Sequence, residues 1–164
     1  MTLAVSEGIK MVGRVQVFTR RRSKLHRSQG AWTLAAESPN LIVTDGKVHV
    51  AKMLADVSGF DTGLTWIEVG TGTAAPALAD VALATPHVRK AVIADPIVTA
   101  NVVQYRAFFA SADISVDLKE TGIFGHSTAT STNGTGELFA RALLTFNNNA
   151  DPHDATFVWT VTFG

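Results

Sequence analysis

The stretch ATFVWTVTF, residues 155–163, decides the fold class. Phe157, Trp159, Val161 and Phe163 share one parity, and Val158, Thr160 and Thr162 share the other. A period of two in aromatic and β-branched residues is the pattern of a strand with one face in a core. Upstream, residues 41–43, 64–69, 88–94, 98–110, 114–119 and 137–146 have the same character. The spacers at 125–136 and 147–154 are rich in Ser, Thr, Asn and Gly, as hairpin ends should be. No repeated strand-helix unit occurs, so about eight strands in an antiparallel arrangement are expected.

Toward the N-terminus, residues 9–20 read as another strand. Ile9, Met11, Val15 and Val17 lie on one parity, with Lys10, Arg14 and Gln16 on the other. Residues 31–37 are its candidate hairpin partner. One helix is expected over residues 46–57, capped by Thr44 or Asp45 and stopped at Ser58-Gly59. Val50, Leu54 and Val57, with Ala51 and Met53 beside them, would form the face that packs on a sheet. The expectation is a mainly β chain, an antiparallel β-sandwich or jelly-roll-like fold with one short helix. Residues 1–39 form a strand pair carrying a basic loop or arm (20–30), part of or appended to the body, and residues 40–164 form that sandwich body.

The zero formal charge of the 164 residues conceals a split. Residues 1–36 hold seven Lys and Arg and one acid, Glu7, a net of about +6, and the remainder holds seven bases and thirteen acids, about −6. Absence of cysteine excludes thiol catalysis, disulfides and thiolate metal sites. No apolar run reaches the length of a membrane span and the N-terminus lacks signal-peptide features, so a soluble protein of cytosol-like conditions with no membrane partner is expected. The low charged fraction, 17%, favours large contact surfaces over a well-solvated monomer.

The pair Gly70-x-Gly72 follows a strand but lacks the third glycine and helix of a dinucleotide loop and the Gly-Lys-Ser/Thr of a phosphate loop. With Pro76 close behind, it reads as a tight turn with close backbone packing. Asp151, His153 and Asp154 form the densest set of candidate metal ligands, but they lie in an Asn-rich turn where Asp and Asn favour local hydrogen bonds. The other histidines are scattered. Glu120 continues the apolar parity of Ile114, Val116 and Leu118, which turns it inward unless Gly122 marks a bulge. Without a second acid nearby, Glu120 is expected to cap backbone amides or to pair with Arg89 or Arg141 at a sheet end. No catalytic residue, cofactor or metal site follows, and an enzyme is not expected. The basic run Arg20, Arg21, Arg22, Lys24 and Arg27 is the candidate interaction site. No aromatic residue lies between Phe18 and Trp32 for base stacking, which argues against nucleic acid and for an acidic protein surface.

From Asn40 onward the landmarks resemble a family of small β-rich virion structural proteins of tailed bacteriophages. The matching stretches are N-L-I-V-T-D-G (40–46), V-G-T-G-T-A-A-P-A-L-A-D-V-A-L (69–83), E-T-G-I-F-G (120–125), G-E-L-F-A-R (136–141) and V-W-T-V-T-F (158–163). The segment 69–83 is the most specific, through its glycine turn, proline and Asp-x-Ala-Leu ending. Pro86-His87 stands where the family has an acidic residue before Arg89. The resemblance implies a non-enzymatic assembly module of the virion, put together in the host cytoplasm. Capsid decoration or cement is the first expectation, with a tail, collar or fibre-attachment subunit as the alternative and a nucleic-acid-binding core or packaging protein as a second alternative. Its expected partners are other copies of itself and major capsid or other virion proteins.

Overall fold

The computed structural model describes residues 10–20, 30–93 and 95–164. These residues form ten strands and one helix. Sheet A holds β1 (Met11–Arg20), β2 (Thr33–Pro39), β6 (Ile97–Thr99), β7 (Val102–Phe109) and β10 (Asp154–Phe163), in the order β2-β1-β10-β7-β6. Sheet B holds β3 (Leu41–Ile42), β4 (Leu64–Gly70), β5 (Pro86–Ala91), β8 (Leu118–Gly125) and β9 (Glu137–Phe146), in the order β3-β9-β8-β4-β5. All pairings are antiparallel, which makes the fold a two-sheet β-sandwich. Val15 and Val17 of β1, Ile67 and Val69 of β4, and Phe157, Trp159 and Val161 of β10 are buried in the main core between the sheets. The parity read in residues 155–163 therefore marks the side of β10 that enters the main core, although Val158 and Thr160 on the other side are buried as well. β1 pairs along its whole length with β10, from Met11↔Phe163 to Arg20↔Asp154, so the first and last described strands are neighbours inside sheet A.

Two strand expectations need correction. The single strand over 98–110 is split into β6 and β7 by a turn in which Ala100 has φ 52°, a left-handed conformation that ends the ladder. The strand expected at 114–119 begins only at Leu118 and runs to Gly125. Register shifts lie between Leu118 and Glu120 and between Ile123 and Phe124. The first of them breaks the parity on which Glu120 was expected to face inward.

The helix also departs from the sequence pattern. α1 spans Thr44–Leu54, with Val43 at its N-cap and no side-chain cap. The Thr44 amide donates instead to Leu78 O at 2.9 Å, so the chain itself satisfies one of the open donors. Val50 touches the core, but Leu54 is 78% and Val57 41% exposed, and the buried helical residues are Gly46 and His49. Gly46 explains the rotation, because a Cβ there would lie 2.0 Å from Phe139 O on β9. A backbone approach that close is open only to glycine, and it turns Gly46 and His49 toward the sheet. No helix among the described residues is long and apolar enough to cross a membrane.

His49 packs edge-on against Phe60 and Phe139, with Nδ1 3.7 Å from Glu137 Oε2. Burial pushes its pKa below the usual 6.5, Glu137 opposes this, and His126 and Lys52 reinforce it. A depressed folded-state value means that the unfolded chain takes up the proton first, so this contribution is complete above about pH 6.5 and lost as the pH falls through the folded value. The urea midpoint should therefore drop from about pH 7 to about pH 5, and the drop should be shallower in His49→Phe. Equal slopes in the two proteins would refute this role for His49.

Candidate interaction surface

On the face of sheet B turned away from the core, the register aligns Arg89, Glu68, Gly122 and Arg141 in one row across β5, β4, β8 and β9. The next row holds Gly70 and Glu120. Two buried acids and two buried bases on an outer face require a cover. Loop residues 71–85 and 126–136 provide it, the first tied down by Glu120 and Arg141 and the second by Glu68 and Arg89.

Glu120 is fully buried and holds the first loop. Its Oε1 accepts the amides of Gly72 at 3.1 Å and Thr85 at 2.6 Å, and its Oε2 accepts the amide of Ala84 at 3.0 Å. Arg141 donates to the same Oε2 through Nε at 3.0 Å and Nη2 at 2.7 Å. Arg141 continues to Asp80 Oδ2 at 2.7 Å and Ala74 O at 2.8 Å, and Asp80 accepts the Ala77 amide at 2.9 Å. Pro76 thus sits between two anchored residues. Burial pushes the Asp80 carboxyl up, but the Ala77 amide and the Arg141 guanidinium together hold it below its usual value. The glycines follow from the carboxylate: a Cβ on Gly72 would lie 2.3 Å from Glu120 Oε1, and one on Gly70 2.8 Å from it and 2.4 Å from Thr85 O. A Cβ on Gly122 would press at 3.0 Å on both Leu83 and Leu138. Gly70, Gly72, Pro76, Glu120 and Gly122 therefore belong to one site, with Arg141 as the partner of Glu120.

The second loop is held by charge of the opposite sense. Arg89 Nη1 donates to the carbonyls of Thr130 at 3.0 Å, Thr132 at 3.0 Å and Thr135 at 2.8 Å. Its Nε lies 2.9 Å from Glu68 Oε2 as an ion pair rather than an aligned hydrogen bond, and that oxygen also accepts the Gly134 amide at 3.0 Å. The guanidinium stacks on Phe124 at 4.2 Å. Burial pushes the Glu68 carboxyl up and the Arg89 guanidinium down, each opposed by the other. The Glu68 and Glu120 carboxylates are fully buried, while Asp80 at the rim of the first network is 22% exposed.

The turn carrying Asp151, His153 and Asp154 is organised by Asn148. Its Nδ2 donates to Ile114 O at 2.7 Å, its Oδ1 accepts the His153 amide at 2.9 Å, and its own amide donates to Asp117 at 3.0 Å. Asp154 accepts the Ser111 amide at 2.9 Å. No group of three or more metal-ligating side chains is assembled among the described residues.

Of the basic run, Arg20 is described, while Arg21, Arg22, Lys24 and Arg27 lie outside the described residues. Arg20 ends β1 on the outer face of sheet A, 3.9 Å from Asp154. Its guanidinium lies over Trp32 at 4.7 Å and beside Phe108 at 5.9 Å, and the two rings meet edge to face at 6.4 Å. Cross-strand pairing sets Phe18, Thr156 and Phe108 in a row beside them. A hollow of about 380 Å³ opens there between Phe18, Trp32, Ile93, Arg106 and Val158. Arg20 and Trp32, which flank the basic run, thus meet in an aromatic and arginine patch. No family model, curated protein or solved structure matches the chain. The patch was hidden in the sequence because Phe108 lies far along the chain from Trp32, and only the pairing through β10 brings them together.

Proposed function

We propose that this chain is a non-enzymatic structural protein of a bacteriophage virion, a decoration or cement protein that binds the capsid exterior through protein-protein contacts. The observation that carries the reading is the meeting of Arg20 and Trp32, which flank the basic run, with Phe108 in one patch. Aromatic and arginine anchors are the residue types that dominate protein interfaces, and the surrounding charge suits an acidic partner surface. The ionisable groups buried on sheet B support it too, since they fix loops rather than face a cleft. A single exposed ion pair contributes only about 0–1 kcal/mol, so attachment draws on several pairs repeated over a symmetric shell.

The test is attachment to empty capsids as salt rises. Binding should fall steeply by about 1 M, where screening is nearly complete. Binding unchanged over that range would remove the electrostatic arm. Copy number per particle separates decoration from a tail, collar or fibre subunit. A nucleic-acid reading gains one specific observation, because Phe18, Trp32 and Phe108 supply beside Arg20 the stacking rings that the basic run itself lacks. A salt-sensitive gel shift with single-stranded DNA would favour that reading over a protein partner.

A further inference from the structure

Along the side of the sandwich where α1 lies, a hollow of about 670 Å³ runs into an apolar groove of about 430 Å³. The two share Met53 of α1, Leu64 of β4, and Val103 and Tyr105 of β7. Because Gly46 and His49 take the helix's contact with the sheet, Met53 and Leu54 are left as one wall of the groove. An exposed apolar surface of this extent marks a contact site.

Its rim is acidic. Asp95 lines the hollow, Asp61 precedes the wall residue Thr62, and Asp56 follows α1. All three are exposed, and none is in an ion pair among the described residues. The patch around Trp32 has the opposite sign. Arg20 there is engaged with Asp154, whereas Arg106 is exposed and forms no ion pair among the described residues. The two surfaces adjoin: Val92 lines the hollow and Ile93 lines the patch, with the Ile93 amide donating to Arg106 O at 2.6 Å.

We infer that two copies of this chain associate about a two-fold axis near residues 92–93, each laying its Trp32, Ile93 and Arg106 against the other's groove with Arg106 toward Asp95. Trp and Arg are residue types enriched in interface cores, and the acidic rim supplies the field complementary to Arg106. Adjacency favours a closed pair over an open chain of copies. With both surfaces beside one axis, the same contact forms twice and neither surface is left open. The inference rests on reading the patch as a docking site for an acidic protein surface and assigns that surface to a second copy; it does not require a virion.

Sedimentation velocity of the isolated protein tests this with two charge reversals at exposed positions, Arg106→Glu and Asp95→Arg, circular dichroism confirming that each variant folds. Each variant alone places like charges at both contacts and should raise the dimer Kd at least about ten-fold over wild type. An equimolar mixture of the two restores opposite charges at both contacts, one pair native and one reversed. The mixed dimer should therefore return to within about three-fold of the wild-type Kd. Wild type that stays monomeric at about 1 mM would overturn the inference and leave the groove to a different partner. A mixture that dimerises no better than either variant would overturn it as well. Capsid attachment is read in a separate assay, so failure here and failure of the virion reading are distinct results.

Discussion

Glu120→Ala should lower the free energy of unfolding by about 3–5 kcal/mol, the range for removing one partner of a buried ion pair. The carboxylate accepts three backbone amides and two Arg141 donors, and every one of these groups is left behind in the variant. A cavity lined by donors is worse than an apolar one, because each orphaned group carries its own desolvation cost. Arg141 retains Asp80 and Ala74 O, so the charge keeps one ionic partner, but that partner is on the loop being released. Urea denaturation should therefore show a reduced midpoint, and amide exchange should quicken first at Gly72, Ala84 and Thr85. Glu120→Gln keeps an acceptor but gives up the charge, and should fall between wild type and Glu120→Ala. A loss below about 1 kcal/mol in Glu120→Ala would show that the loop is held by other contacts.

Physical range along the chain explains what could be read from sequence and what could not. The alternation in residues 155–163 is local, and it yields both β10 and the side of it that enters the main core. The partnership of Glu120 with Gly70 and Gly72 was half legible: glycine spacing signalled close packing, and the carboxylate signalled a need for donors. Nothing local said that the two needs met. Glu68 was invisible for the same reason. It alternates with Ile67 and Val69 as a solvent-facing residue should, and only its register against Arg89 and the closure of residues 126–136 bury it. The helix misled in the opposite sense. Val50, Leu54 and Val57 have core periodicity, yet the approach of Gly46 to Phe139 O governs the contact. Backbone proximity outranked hydrophobic pattern, and the displaced apolar side became the wall of a groove.

Arg89→Met should also cost about 3–5 kcal/mol, and its partner-swap test distinguishes two kinds of buried charge. Where an ion pair serves only itself, replacing both members with apolar residues of similar volume is often neutral or stabilising. Arg89 does more than neutralise Glu68, because its Nη1 is the donor shared by the carbonyls of Thr130, Thr132 and Thr135. The double variant Glu68→Met/Arg89→Met removes the stranded carboxylate but not the stranded carbonyls, and it also deprives Gly134 of its acceptor. Its stability should therefore recover only part of the loss seen in Arg89→Met, leaving about 1–3 kcal/mol unrecovered, the cost of unsatisfied buried polar groups. A double-mutant cycle by urea denaturation measures this, with Glu68→Met completing the square. Full recovery would mean that the loop carbonyls find water as readily as arginine, and that the pair exists for its own charge balance. Partial recovery assigns Arg89 to the loop, as the counterpart of Glu120: one loop gathered by its amides onto a carboxylate, the other by its carbonyls onto a guanidinium.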